Sequence, residues 1–451
     1  MRIVFASLAA ATLVGLSCQA SSPAPSQTAD AGDAATTEPT YYGNVKAILD
    51  AKCATCHTAG SFAPFPLTSP NDAVMHRSAI KFATASRSMP PWPPNNACAQ
   101  YEGDRALTPS ELATLAAWGD GAGRIGNEKD FKPLGGTPAP KLSRTDFTIP
   151  MAEAYTPLTS PDDYRCFVLD WPGMEDTHIT GFSVDPGAPQ IVHHTLVYVV
   201  PPEDVAAYQK LDADEPGPGY TCFAGPNKKL DQLPAQVGAW VPGTLGRDYP
   251  QGTGIKVRTG SKLVVQMHYN TTSQPAVPDT TKVRVRVDRD VPVEAYIMPF
   301  TNPLWVKNQG MPIPANAPDT MHEFSYDAVT AVNVRTKGGI ATDRPFKVHS
   351  AALHQHLLGT HSTLEVTKNG APSQCLLDIP KWDFHWQGSY GFVAPKVVQP
   401  GDAFHIVCHW DNSQQNQPID GDGRQRPSQA LNWGENTTDE MCIGFMYITQ
   451  D

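Results

Sequence analysis

QIVHHTLVYVV, residues 190 to 200, is a β-branched and aromatic run that carries a pair of histidines. Similar runs bounded by Gly, Pro, Asn or Asp lie at residues 262–269, 282–287, 362–367 and 403–408. Such runs are typical of β-sandwiches. Because about 300 residues of this kind exceed what one hydrophobic core usually holds, we predict two all-β sandwich domains, at residues 146–290 and 291–451.

Composition agrees with a turn-rich, multidomain protein. The chain has 451 residues, with 43 prolines and 35 glycines against 18% charged residues. Its formal net charge is −11 and no arginine-rich run is present. A nucleic-acid partner is therefore not expected, because such partners require a basic surface.

The N-terminus has the pattern of an export signal. Residues 3–16 are apolar but too short to span a bilayer, and Gly15-Leu16-Ser17-Cys18 resembles a bacterial lipobox. We predict a signal peptide over residues 1–18 and a flexible linker over 19–40, with ordinary cleavage after Ala20 as the alternative. The protein would be exported to the periplasm or outer surface of a bacterium, and lipidation of Cys18 would anchor it to a membrane.

Cys53-Ala54-Thr55-Cys56-His57 has the spacing of a c-type haem attachment motif. The two thiols would bond to the porphyrin and His57 would be an axial iron ligand. Helical patterns surround it, including a capping box from Thr108 to Glu111. We predict a small all-α cytochrome c-like domain over residues 41–127, followed by a linker over 128–145.

Met89 is the candidate sixth ligand of the iron. It lies in the proline-rich loop Ser88–Pro94, whose stiffness suits holding a thioether in place. Two alternatives stay open: Met89 is a core residue, or His76 is the sixth ligand.

Histidines recur in the β-rich region. His193 and His194 are neighbours, so both reach one metal only where the strand bulges or ends. His268 lies in a strand pattern, where a core role is the alternative to a metal ligand. His354 and His356 share one face of a strand, about 7 Å apart. Met441 lies in the polar stretch Asp439-Glu440-Met441-Cys442, and a thioether with two imidazoles suits Cu(I).

The order of these motifs resembles the copper type II, ascorbate-dependent monooxygenases, the family of dopamine β-monooxygenase and peptidylglycine α-hydroxylating monooxygenase. The resemblance covers roughly residues 146–451. It rests on His193-His194, Gln266-Met267-His268-Tyr269, His354-Gln355-His356-Leu357-Leu358-Gly359, Asp439-Glu440-Met441-Cys442 and the stretch Cys375 to Phe384.

The resemblance implies two copper ions in two jelly rolls. His193, His194 and His268 would hold the electron-receiving copper, and His354, His356 and Met441 the oxygen-binding catalytic copper. The family inserts one atom of O2 into a substrate C–H bond and releases the other as water. It also implies a disulfide between Cys408 and Cys442 beside Met441.

The remaining cysteines suggest further disulfides, and two residues that differ from the peptide-amidating branch bear on the substrate. Cys166 and Cys222 are a candidate pair, whereas Cys98 and Cys375 have no clear partners beyond a bridge between domains. The peptide-amidating branch has an Arg and a Tyr where this chain has Ala352 and Phe445. Neither residue binds a carboxylate, so a small, neutral or apolar substrate is expected rather than a peptide.

We therefore expect an exported copper monooxygenase that uses O2 and receives electrons through the fused haem, ascorbate or both. A periplasmic electron donor is a further candidate partner. The alternative is a non-catalytic haem and copper lipoprotein that carries electrons or holds copper.

Overall fold

The computed structural model describes residues 38–450, apart from 60–62, 136–139, 223–224, 228–232, 273, 309, 369–370 and 420–422. Residues Pro39–Asp451 form one compact unit. Cys18, the signal peptide and nearly all of the predicted linker over 19–40 lie outside the described residues.

The helices are short and concentrated before residue 121. Among the described residues they are α1 (Lys46–Lys52), α2 (Pro70–Met75), α3 (Arg77–Ala85), α4 (Pro109–Asp120), α5 (Val205–Ala213), α6 (Pro303–Asn308) and α7 (Ala328–Arg335), with a π-helical turn at Tyr41–Val45. The predicted start of α4 is present: Thr108 and Glu111 cap each other's backbone and Pro109 occupies the first turn. No helix in the described part of the chain is long and apolar enough to cross a membrane.

Strands account for most of the regular structure. They are β1 (Phe147–Pro150), β2 (Asp162–Asp170), β3 (Thr177–Asp185), β4 (Val192–Val200), β5 (Tyr220–Thr221), β6 (Ala235–Trp240), β7 (Arg247–Asp248), β8 (Thr253–Val257), β9 (Lys262–Asn270), β10 (Lys282–Asp288), β11 (Val293–Phe300), β12 (Thr320–Asp327), β13 (Phe346–His354), β14 (Gly359–Lys368), β15 (Ala371–Ile379), β16 (Ser389–Val398), β17 (Ala403–Trp410) and β18 (Ile443–Thr449).

The strands form three sheets. The largest has nine strands in the order β1-β10-β3-β8-β11-β18-β13-β16, with β7 paired to β3. A five-stranded sheet has the order β5-β2-β9-β4-β6, and a four-stranded sheet the order β12-β17-β14-β15. Strands β8 and β11 pair in parallel and join the two halves of the large sheet.

Two large apolar clusters lie between these sheets. One contains Phe182 and Val283 of the large sheet with Val197 and Val265 of the five-stranded sheet. The other contains residues of β13 and β18 with residues of β14 and β17. A smaller cluster holds the N-terminal helices together around Leu49, Leu115 and Trp118. Burial of these apolar faces is the main favourable term in folding.

The predicted fold class was wrong. The described chain is mainly β, and its N-terminal helices do not form a separate all-α cytochrome c-like domain, because they belong to the same compact unit as the sheets. The β region is also not two independent sandwiches, since one nine-stranded sheet runs through both halves. The reason is long-range strand pairing. Strands β8 and β11 pair although they are separated in sequence, and a local sequence pattern does not show which distant strands will pair.

Candidate metal centres

The first candidate centre is built on two paired strands. His194 of β4 lies opposite His268 of β9, and the register shifts between Val192 and His194. His193 is therefore the extra residue of a β-bulge, which is the irregularity that lets two successive side chains face one point.

Three imidazole nitrogens converge at this bulge. His194 Nδ1 lies 3.2 Å from His193 Nδ1 and 3.3 Å from His268 Nδ1. A tetrahedral metal with nitrogen bonds of about 2.0–2.1 Å places its ligand nitrogens about 3.3–3.4 Å apart. The cluster therefore has the spacing of a three-imidazole metal site, and it is the one such His, Cys, Asp or Glu group found in the described residues.

Asp162 orients the third ligand. Its Oδ1 accepts a hydrogen bond from His268 Nε2 at 2.9 Å and another from Asn270. Tyr164 stacks on the His268 ring at 4.2 Å. Burial alone would raise the pKa of Asp162, but the bond and charge of His268 lower it. The bond fixes the proton on Nε2 and leaves Nδ1 free to bind a metal.

Burial keeps His193 and His194 neutral. Desolvation and the neighbouring His268 ring hold the pKa values of His193 and His194 well below the ordinary value. Both rings thus carry a free lone pair at neutral pH, as metal ligation requires.

The second candidate centre lies where β13 ends. His354 is the last residue of the strand and His356 lies beyond it, so the two do not share a flat strand as expected. Their ring centroids are 5.1 Å apart. His354 Nδ1 donates to Gln387 Oε1 at 2.5 Å, and His356 Nδ1 donates to the Asp439 carbonyl at 3.0 Å. Each ring therefore presents Nε2 for a metal.

Burial again sets the protonation state. Desolvation lowers the pKa of His354 to about 4, although the Gln387 bond opposes it, and desolvation together with His354 lowers the pKa of His356 to about 3. The two sites thus present opposite ring nitrogens, Nδ1 in the first and Nε2 in the second, but both present neutral imidazoles.

Met441 is positioned by its neighbours. It lines the same cavity as His354 and His356. The preceding carboxylate, Glu440, is fully buried and accepts from His356 N at 2.9 Å, Leu358 N at 2.7 Å and Trp410 Nε1 at 2.8 Å. Burial raises the pKa of Glu440 to about 7 against these bonds. Glu440 thereby connects the Met441 loop to the backbone of the histidine pair.

The two centres face each other. The rings of His194 and His354 lie 6.3 Å apart. Phe384 stacks on His193 at 4.4 Å and lies 6.2 Å from His356. One cavity of about 1520 Å³ is lined by His194, His354, His356 and Met441.

The residues expected at the substrate position also lie there. Ala352 and Phe445 are directly paired across β13 and β18, and both line the cavity. Neither offers a charge or a hydrogen-bond donor to a carboxylate. Asp162, Gln387 and Phe384 were not predicted as site residues, because nothing in their local sequence distinguishes them from ordinary polar or core positions.

The haem motif lies at another wall of this cavity. Thr55 and Cys56 line it. Cys53 and Cys56 are free, whereas every other cysteine in the described part of the chain is disulfide-bonded. His57 Nδ1 donates to the Phe65 carbonyl at 2.9 Å, leaving Nε2 available. Met89 is half-buried, and its role as a sixth ligand stays a prediction. His76, the alternative ligand, stacks on Phe65 at 3.8 Å.

The prediction that the chain contains disulfides is confirmed. Cys166 is bonded to Cys222 and Cys408 to Cys442. A third disulfide joins Cys98 to Cys375, across 277 residues of sequence. Three disulfides indicate an oxidising, extracytoplasmic compartment.

Comparisons with known proteins support one family. Residues 308–450 match the family model of the copper type II ascorbate-dependent monooxygenase C-terminal domain. A Mus musculus protein described as DBH-like monooxygenase protein 2 is 23% identical over 261 residues, which is 57% of this chain and 38% of that protein. The aligned part thus spans well under half of that relative.

Solved structures add nothing to this assignment. The infectious bursal disease virus VP2 subviral particle has a TM-score of 0.17 and 8% identity, covering 69% of this chain and 74% of that one. A Paenibacillus xanthan lyase has a TM-score of 0.16 and 9% identity, covering 69% and 28%. Similarity this low carries no structural or functional argument. Over residues 308–450 the chain is therefore similar to the C-terminal domain of the copper type II ascorbate-dependent monooxygenases, and the DBH-like relative supports that similarity.

Proposed function

We propose that the protein is an exported, copper-dependent monooxygenase that hydroxylates a C–H bond of a small organic substrate with O2. The balance is one substrate, one O2, two electrons and two protons giving one alcohol and one water. The observation that carries the proposal is the pair of facing donor sets, one with three imidazoles and one with two imidazoles and Met441, around a single cavity.

The donor sets suit copper. Imidazole binds several transition metals, but a thioether with two imidazoles is a soft set that favours Cu(I). When bound, copper would supply one-electron redox chemistry and O2 activation. The chain's own part is to orient His268 through Asp162 and His354 through Gln387, and to keep Met441 in place through Glu440.

Haem, ascorbate or both would supply the electrons. Two free thiols and an imidazole anchored through Nδ1 fit covalent haem at Cys53, Cys56 and His57. When bound, haem would supply one-electron storage. A periplasmic protein donor would serve as the source of electrons for the haem.

The substrate is proposed to be neutral or apolar. Ala352 and Phe445 replace groups that bind a peptide carboxylate, and they face each other across two strands in the cavity wall. A carboxylate buried against them would lack a partner, which is costly. A C-terminal peptide is therefore a poor substrate.

The location is proposed from the disulfides and the N-terminal pattern. An oxidising compartment fits the three disulfides. We propose residues 1–18 as a lipoprotein signal with Cys18 as the lipidated residue, and residues 146–290 and 291–451 as the two copper-holding regions.

Metal analysis followed by product analysis tests the function. The purified full chain should contain two copper ions and one iron. Incubated with ascorbate and 18O2, it should place one labelled oxygen in a member of a panel of arylalkylamines, arylalkyl alcohols and other neutral small molecules. A glycine-extended peptide serves as the comparison for the amidating branch.

Met441→Leu is the matched variant, because it removes one copper donor and keeps an apolar side chain. It should retain the copper of His193, His194 and His268 but form no labelled product. Full copper loading with no labelled product from any substrate would instead support the non-catalytic electron-transfer or copper-holding alternative.

A further inference from the structure

The segment from Pro91 to Arg105 is fixed to the β region. Cys98 is bonded to Cys375 of β15. Hydrogen bonds also hold the segment, among them Asn95 N to the Asp378 carbonyl at 2.8 Å, Tyr101 Oη to the Leu376 carbonyl at 3.0 Å, and Glu102 N to the Gly391 carbonyl at 2.8 Å. The segment is therefore part of the body of the enzyme and not a mobile tether.

This segment also forms a wall of the cavity that holds the second metal centre. Pro91, Trp92, Glu102 and Arg105 line that cavity together with Cys56. Arg105 and Trp92 therefore line the same cavity as Cys56 of the haem motif.

An unbroken series of contacts leads from Arg105 to His354. The Arg105 guanidinium lies 5.8 Å from the centroid of the Trp92 ring. Trp92 meets Tyr390 edge to face at 5.5 Å. The Tyr390 hydroxyl lies against Gly388, where an added Cβ would come within 2.9 Å of it.

The last step is a hydrogen bond. Gly388 follows Gln387 in sequence, and Gln387 Oε1 accepts from His354 Nδ1 at 2.5 Å. A larger residue at position 388 would have to displace the Tyr390 hydroxyl or the backbone. Of the three imidazoles in the other centre, only His194 is in the cavity wall, and this contact series does not pass through it.

We propose that Trp92, Tyr390 and Gln387 form the route by which an electron from haem at Cys53, Cys56 and His57 reaches copper at His354. The inference rests on the proposed function. One electron moves: Fe(II) becomes Fe(III) and Cu(II) becomes Cu(I). No bond is made or broken in the three residues, which act as positioning and contact residues and keep their protons. Electrons arriving by this route would reduce the copper of His354 directly, whereas the family resemblance makes the copper of His193, His194 and His268 the electron-receiving one.

Flash photoreduction of the haem in the full, copper-loaded protein tests the route. The readouts are haem reoxidation, followed by its visible absorption, and loss of the Cu(II) electron paramagnetic resonance signal. Trp92→Leu and Gln387→Leu should each slow reoxidation at least about tenfold, which corresponds to about 1.4 kcal/mol of barrier. Trp92→Phe and Gln387→Glu should restore most of the rate, because each keeps the contact or the acceptor.

Two controls make the result specific. Tyr326→Leu removes an exposed aromatic outside the route and should leave reoxidation unchanged. His268→Ala empties the three-histidine centre, and fast reduction of the copper at His354 should persist.

Failure of the route can be distinguished from failure of the proposed function. If the purified protein has no haem spectrum, the haem supply proposed above fails and the route fails with it. If haem is present but Trp92→Leu and Gln387→Leu transfer electrons at the wild-type rate, or His268→Ala abolishes transfer, the route is overturned and the oxygenase proposal stands.

Discussion

The two metal centres are assembled in different ways. The three-histidine centre lies within one five-stranded sheet, where the register of β4 and β9 places His194 opposite His268. The second centre is assembled from the end of β13 and the loop before β18, and it depends on Glu440 and the Cys408–Cys442 disulfide. A centre held by strand pairing has its geometry set by many backbone bonds, whereas a centre held by a loop depends on a few specific side chains.

This difference predicts that single substitutions damage the two centres unequally. Loss of a side chain near the first centre should weaken metal binding by one histidine, while the strand that carries this histidine stays in register. Loss of an anchoring side chain near the second should release the loop that carries Met441.

Glu440→Ala should have the largest effect. It removes the acceptor of two backbone amides and the Trp410 ring nitrogen. Each buried donor left unpaired costs about 1–3 kcal/mol, so the free energy of unfolding should fall by several kcal/mol. Bound copper should fall from two ions to one per chain. Glu323→Ala, at an exposed ion pair with His405, is the control. Retention of both coppers in Glu440→Ala would contradict the anchoring role.

Removing the disulfide beside Met441 should have the next largest effect. Cys408 and Cys442 are 34 residues apart, and closing a loop of that length stabilises a protein by about 3–4 kcal/mol. The double Cys→Ser variant should lose copper selectively at His354, His356 and Met441. The equivalent change at Cys166 and Cys222 should leave that copper in place. X-ray absorption, in which the Met441 sulfur marks the second centre, distinguishes the two.

Asp162→Asn should have a smaller effect, and it should lower copper affinity mainly at the first centre and not at the second. Loss of an outer hydrogen-bond partner of a metal-bound histidine typically reduces metal affinity about 10–100-fold. The loss should be larger at the centre of His193, His194 and His268, because Asp162 accepts hydrogen bonds from His268 and Asn270, whereas it reaches the loop of Met441 only through Thr437. Competitive copper titration measures it. An equal loss at both centres would show that they do not fold independently.

Thr108→Ala should have the smallest effect and spare both centres. It removes the capping box of α4 and should lower the free energy of unfolding by about 1 kcal/mol. Thermal unfolding and copper content are the measurements. Thr114→Ala, on the exposed side of the same helix, should change stability less. Loss of copper in Thr108→Ala would mean that the N-terminal helices support the metal centres directly.

Local patterns in the sequence predicted candidate donors and two local backbone features, but not the side chains that hold those donors. The bulge required by His193-His194 is present in β4, and the capping box of Thr108 begins α4. These features depend on residues a few positions apart, so short-range geometry determines them. The geometry of the second centre differed in one respect: β13 ends at His354, and His356 is held by Asp439 and Glu440 instead of a strand.

The fold class was not predictable in the same way. The N-terminal helices have their own apolar cluster, which made a separate domain the natural expectation. Their attachment through Cys98–Cys375 and the backbone pairing of Tyr101 with Phe392 join positions nearly 300 residues apart. No periodicity or spacing in a single sequence encodes which distant strand edge a segment meets.

The sequence by itself determined which nitrogen, sulfur and thiol side chains are candidate donors and in what order they occur along the chain. Only the tertiary structure decided their arrangement, including the rings of His194 and His354 at 6.3 Å and the wall shared with Cys56. The physical reason is that donor type is a property of each residue, whereas proximity follows from strand pairing and burial summed over the whole chain.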